Sequence, residues 1–208
     1  MATINNLFDS GRGRLGNLVL YKVGDNCFVR TRAEHFNDRK SPAQMAQRQR
    51  LQITAGFLKP FRELVRITFA AEAGGRSPVH LARSVNMRHA LAGEYPGISV
   101  DKSKVLLSHG PLPVPVSGTA TAQPEGLLIE WENSPDAARN HPSDTLVVVA
   151  FSPETGRSDF LITEARRSAG SYLWKPALPQ LNGTLPDLWI AFRNRQETLM
   201  SDSFYVRG

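Results

Sequence analysis

The sequence predicts an α+β protein: an N-terminal β-hairpin and about three helices, followed by an all-β sandwich. Three observations carry this expectation. A strand–turn–strand pattern occupies residues 16–32. Two serine–proline pairs, Ser41-Pro42 and Ser77-Pro78, each open a stretch of apolar residues at helical spacing. From residue 116 onward, short β-branched and aromatic runs recur between turn residues, with no helical period.

The hairpin is expected from the strand formers of 15–23, the turn residues Gly24-Asp25-Asn26, and a return strand over 27–32. Side chains alternate along a strand, so Phe28, Arg30 and Arg32 fall on one face and Cys27, Val29 and Thr31 on the other. Two strands alone are marginal, so the hairpin must pack on something. Ser41 is placed to cap a helix with Pro42 at its first position and Gln44 completing a capping box. That helix runs to about Leu58, and Pro60 must end or kink it. Phe61, Leu64, Val65 and Phe69 mark a second helix. Gly74-Gly75 breaks it, and a third helix is expected over about 78–92, with Leu81, Val85 and Leu91 as core contacts. A strand is expected around 104–107, and Pro111, Pro113 and Pro115 read as a stiff connector. The expected domains are therefore 1–110 and 111–208. In the second, strands are expected at 127–131, 145–151, 171–174, 188–192 and 203–206, a spacing that fits a sandwich of the immunoglobulin type.

The 208 residues allow one large or two small domains. One cysteine, Cys27, forbids an intrachain disulfide. The longest apolar run, 146–151, is far below the ~20 residues of a membrane span. The first residues lack a secretory signal pattern, so a cytoplasmic location is expected. The net charge is +6, and it is unevenly spread: residues 1–70 hold 12 Lys/Arg against 5 Asp/Glu, residues 71–208 hold 13 against 14. Such asymmetry points to an anionic partner for the leading third, such as nucleic acid, a membrane surface or an acidic protein. The side chains singled out for that contact are Arg12, Arg14, Arg30, Arg32, Arg39, Lys40, Arg48 and Arg50. Arg48 and Arg50 lie ~200° apart around a helix, so at most one of them meets the ligand that the strand stripe meets. The stripe lacks the interleaved aromatics of single-strand binders.

Other motifs read as structure. Gly11-Arg12-Gly13-Arg14-Leu15-Gly16 matches a dinucleotide fingerprint by letters, but a strand follows it rather than a helix, so it reads as a flexible basic arm. His80 and His89 fall on opposite faces of one helix, and the five histidines form no metal-binding spacing. There is no Gly-x-Ser-x-Gly turn. Glu130 and Glu132 share an outer strand face, Trp131 points to a core, and Asn182-Gly183-Thr184 reads as a turn. Cys27 reads as a small buried apolar residue in a strand. No catalytic residue, cofactor, metal, membrane contact or small-molecule substrate is expected.

Certain motifs extend across the chain: Gly13-x-x-Gly16-Asn17-x-Val19-x-Tyr21-Lys22, Val29-Arg30, Ser41-Pro42-Ala43-Gln44-x-x-Gln47-Arg48, Phe57-Leu58-Lys59-Pro60, 104–112, 165–170 and Ser201-Asp202-Ser203-x-Tyr205-Val206. In these the chain resembles an uncharacterised bacterial family of Bacteroidetes type, a domain family of unknown function. The resemblance implies hairpin and helices followed by a sandwich similar to a fibronectin type III module, and implies no activity. A looser likeness to phage-related bacterial proteins, in the Gly-Asn hairpin and the Pro-Ala-Gln helix start, points toward assembly. The function expected is a non-catalytic structural, assembly or protein-interaction role, with self or another protein as partner. The alternative is nucleic-acid backbone binding through the basic third.

Overall fold

The computed structural model describes residues 13–33, 38–133, 141–178 and 185–206, and the backbone of Ala2–Thr3. The chain divides into two compact units, 1–41 and 42–208.

In the first unit, strands β1 (Ala2–Thr3), β2 (Gly13–Leu15), β3 (Leu18–Val23) and β4 (Asn26–Thr31) form one antiparallel sheet in the order β1-β4-β3-β2. The expected hairpin is β3–β4, the centre of this larger sheet. Its turn is tight because Gly24 adopts φ +61, and Gly16 at φ +57 does the same between β2 and β3. Residues 13–15 are thus an outer strand rather than part of a loose arm. Gly-Arg-Leu gives a weak strand signal, and its order comes from the backbone of β3.

The second unit opens with α1 (Pro42–Leu58), α2 (Arg62–Thr68) and α3 (Pro78–His89). α1 begins at the proline that the sequence marks and ends before Pro60. Ser77 stands extended before α3, but its side chain makes no capping hydrogen bond. A two-strand ribbon, β5 (Leu91–Ala92) with β6 (Ser99–Val100), follows. Then come β7 (Ser117–Gln123), β8 (Gly126–Glu132), β9 (Thr145–Ser152), β10 (Arg157–Arg166), β11 (Ser171–Trp174), β12 (Asp187–Arg193) and β13 (Phe204–Val206). They make two antiparallel sheets, ordered β10-β9-β12-β13 and β11-β8-β7.

Between the sheets lie Ile129, Trp131 and Trp174 from one side and Leu146, Val148, Ala150, Ile190 and Phe192 from the other. The alternate residues of the same strands, Val147, Val149, Trp189 and Ala191, pack instead on Leu58, Phe61, Leu64 and Phe69 of the helical layer. The four-stranded sheet is therefore a middle layer buried on both faces, and Leu146–Ala150 are all buried. A sheet covered on both sides reads as a continuous apolar run rather than an alternation. At the helix contact, Phe61 sits 5.3 Å from Phe151, 5.5 Å from Phe57 and 6.0 Å from Trp189, ring centre to ring centre.

This layering corrects the expected boundary at 110/111. The helices bury their apolar faces on the outer face of the sandwich, so both belong to one unit, and the division falls at 41/42. The strand expected at 104–107 is also absent. Lys102–Lys104 form a 3-10 turn, and side chains satisfy the extended backbone after it. Asn86 Nδ2 donates to Leu106 O at 2.8 Å while Asn86 Oδ1 accepts from Leu106 N–H at 2.9 Å. Ser203 Oγ accepts from Leu107 N–H, and Thr68 Oγ1 donates to Leu107 O. The proline segment is held down likewise: Pro111 and Leu112 bridge to Ser201, and Pro113 O accepts from Arg167.

Arg167 and Asp144 form an ion pair at 3.3 Å, each side chain 1% exposed. The guanidinium lies 3.8 Å over the Phe192 ring. Burial pushes the Asp144 carboxyl above its ordinary range against the pull of Arg167, and burial lowers the Arg167 guanidinium. Desolvation thus outweighs attraction for both partners.

Candidate functional site

Directly paired residues share a face of an antiparallel sheet. In the first unit, Arg14, Val19 and Arg30 form one cross-strand row, and Tyr21 with Phe28 forms the next row on the same face. Arg14 and Arg30 flank Val19, so their Cα atoms are about two strand spacings apart, roughly 10 Å. The Tyr21 and Phe28 rings are stacked with centroids 5.6 Å apart, and the Arg30 guanidinium lies 5.9 Å over Tyr21. Both arginines are exposed. The stripe is therefore interleaved with aromatics, contrary to expectation. The aromatic partner Tyr21 comes from the neighbouring strand, and only the β3–β4 register places it beside Phe28.

The opposite face is aliphatic. Its rows are Leu15, Leu18 and Thr31, then Leu20 and Val29, then Lys22 and Cys27. Leu15 is 64% exposed and Leu18 40%. Among the described residues of this unit, none is buried, so the sheet has no core of its own here. Cys27 is half-buried rather than buried.

Arg32, just past β4, donates its backbone N–H to Asn17 O at 2.8 Å. Arg39 and Lys40 lie off the sheet, before α1; Lys40 has φ +47 and donates its N–H to Asp38 Oδ1. Arg48 and Arg50 are exposed on α1, in the second unit. Arg12 lies outside the described residues, as does the Asn182-Gly183-Thr184 turn. The structure thus brings Arg14 and Arg30 together with Tyr21 and Phe28 on one face of the first unit's sheet.

Among the described residues, no group of three His, Cys, Asp or Glu side chains is placed to hold a metal. No helix there is long and apolar enough to cross a membrane. His109 Nδ1 lies 2.6 Å from Asp202 Oδ1. The neighbouring hydroxyls are turned elsewhere: Ser108 Oγ donates to Ser201 O and Ser201 Oγ to Asp202 O, both on buried residues. This cluster ties the segment before the prolines to the one before β13.

Fold and site define an α+β protein with a small N-terminal sheet and a layered second unit. The chain belongs to the family of unknown function DUF6266, whose model matches residues 10–207. No curated protein and no solved structure matches it.

Proposed function

We propose that this is a non-catalytic assembly protein whose N-terminal sheet associates with a second copy of the chain. The observation that carries this reading is the aliphatic face of Leu15, Leu18, Leu20 and Val29. An apolar sheet face is stable when another layer covers it. Lys22 is the one charged side chain among its described residues, so two such faces can meet with little charge repulsion. The arginine face cannot self-associate in this way. Self-complementary contacts between copies are also the commonest route to oligomers. The second unit serves as a rigid body. Its three strands β7, β8 and β11 opposed to β10, β9, β12 and β13 follow the order of a fibronectin type III module, which supports that likeness. A single cysteine suits a reducing, cytoplasmic setting.

Light scattering on a sizing column tests the assembly. The wild type is expected at twice the monomer mass or more, and Leu18→Glu with Leu20→Glu is expected to return it to monomer. A wild type that stays monomeric at micromolar concentration, and captures no protein partner, overturns the reading.

The arginine–aromatic face favours a second reading, binding of a single-stranded nucleic acid. Tyr21 and Phe28 offer stacking surfaces, and Arg14 and Arg30 offer phosphate contacts. Two phosphate contacts give log K a slope of about −1.4 against log salt. Arg14→Glu with Arg30→Glu should abolish binding to every sequence alike; no binding at low salt eliminates this reading.

A further inference from the structure

The strongest positive charge in the chain lies in the helical layer. Residues 42–92 hold eight Lys/Arg against two Asp/Glu, and residues 93–208 hold ten against thirteen. Within that layer a cleft of about 400 Å³ opens between the α1–α2 corner and the start of α3. Its floor is apolar, from Ala55, Leu58 and Val79. Its walls carry Lys59, Arg62, Arg66, His80 and Arg83, and among the described residues no carboxylate lines it.

The four permanent cations differ in what they already meet. Arg66 is held by Glu63, with Nη1 at 3.0 and 3.2 Å from its two carboxylate oxygens. Among the described residues, no ion pair reaches Lys59, Arg62 or Arg83. Arg83 Nε is buried and meets no acceptor there. A buried guanidinium N–H without an acceptor is costly, and a bound anion removes the cost. The first turn of α3 adds to this. Pro78 has no N–H, while Val79 and His80 are in the first helical turn, whose N–H groups lack intrahelical acceptors. The helix dipole places partial positive charge at the same point. The Ser77 hydroxyl, unused as a cap, stands at this rim.

We infer that this cleft is an anion-binding site for a diphosphate-bearing small molecule. The volume is that of a small-ligand site rather than a flat surface for a macromolecule. Three cations without ion pairs exceed what one carboxylate needs, and match the charge of two linked phosphates. Arg83 and the α3 start would hold one phosphate, and Lys59 with Arg62 the other. Its described lining residues all belong to the second unit, and it departs from the sequence expectation that no small molecule binds.

Calorimetric titration of the full chain with inorganic diphosphate at low ionic strength tests the site. Saturable one-to-one binding is expected. Arg83→Gln should weaken it by about tenfold or more, the value of a charge-assisted hydrogen bond. Lys59→Gln with Arg62→Gln, both exposed and safe for folding, should weaken it similarly. Lys175→Gln, an exposed cation on the segment after β11, should leave it unchanged. Absence of saturable binding overturns the inference, as does equal binding by the Lys59/Arg62 variant. A single-stranded oligonucleotide that binds with steep salt dependence and is not displaced by diphosphate overturns it in favour of a nucleic-acid surface.

Discussion

Phe61→Ala tests whether the helices and the sandwich are one body. Phe61 is 1% exposed and its ring is ringed by Phe57, Phe151 and Trp189 at 5.3–6.0 Å. It therefore joins α-helical residues to both central strands of the middle sheet. Removing a buried phenyl ring costs about 3–5 kcal/mol, the lost transfer energy plus the cavity left behind. With a urea dependence of roughly 2 kcal/mol per molar, the midpoint should fall by about 2 M. The assay is a urea titration followed at once by far-ultraviolet circular dichroism, which reports the helices, and by tryptophan fluorescence. Trp189 lies at this contact, while Trp131 and Trp174 lie in the core between the sheets. Both signals should shift together. If the helical signal moves and the fluorescence midpoint stays, the helices form a separate domain and the layered reading is wrong.

Other substitutions test single features. Asn86→Leu removes the side chain that satisfies both backbone groups of Leu106, and thermal unfolding should show a loss of roughly 2–4 kcal/mol. Gly126→Ala puts a Cβ 2.6 Å from Trp174 O, against the backbone of β11, at φ +157; a loss of about 2–3 kcal/mol in chemical denaturation is expected, and a neutral result would refute the register there. Replacing Asp144 by Leu together with Arg167 by Met should leave stability within about 1 kcal/mol of wild type or raise it, because desolvation outweighs the attraction of the pair. The same pair sets a pH dependence. A carboxyl raised in the folded state contributes stability below its unfolded value, and loses that contribution as pH rises through the folded one. Wild type should therefore lose stability relative to the double variant on leaving acid, as read from denaturation midpoints across pH.

The local signals were the readable ones. Ser41-Pro42 marks the start of α1, Pro60 its end, and the spacing of Phe61, Leu64, Val65 and Phe69 marks the buried face of α2. Five sandwich strands carry apolar or aromatic runs. β7 escaped because Ser-Gly-Thr-Ala-Thr-Ala-Gln has no large side chain, and β10 because charged residues bracket its apolar centre. The boundary failed for a different reason. Prolines at 111, 113 and 115 look like a linker locally, yet Arg167 and Ser201, distant in sequence, bind that segment. The candidate sites depend even more on long-range pairing. Arg30 and Phe28 are neighbours by strand period alone, but Tyr21 joins them only through register, and Arg83 meets Lys59 and Arg62 only once α3 packs on α1 and α2.

Cys27 reports whether copies of the chain meet through the aliphatic face of the N-terminal sheet. It is the one cysteine of the chain and shares that face with Leu18, Leu20 and Val29. Its alkylation rate should be measured across protein concentration, with the mass of the assembly followed in parallel. Labelling is expected to slow as the dimer fills, and Leu18→Glu with Leu20→Glu is expected to restore the fast rate. A labelling rate independent of concentration, in a protein that forms stable dimers, would place the contact elsewhere and contradict dimerisation through this face.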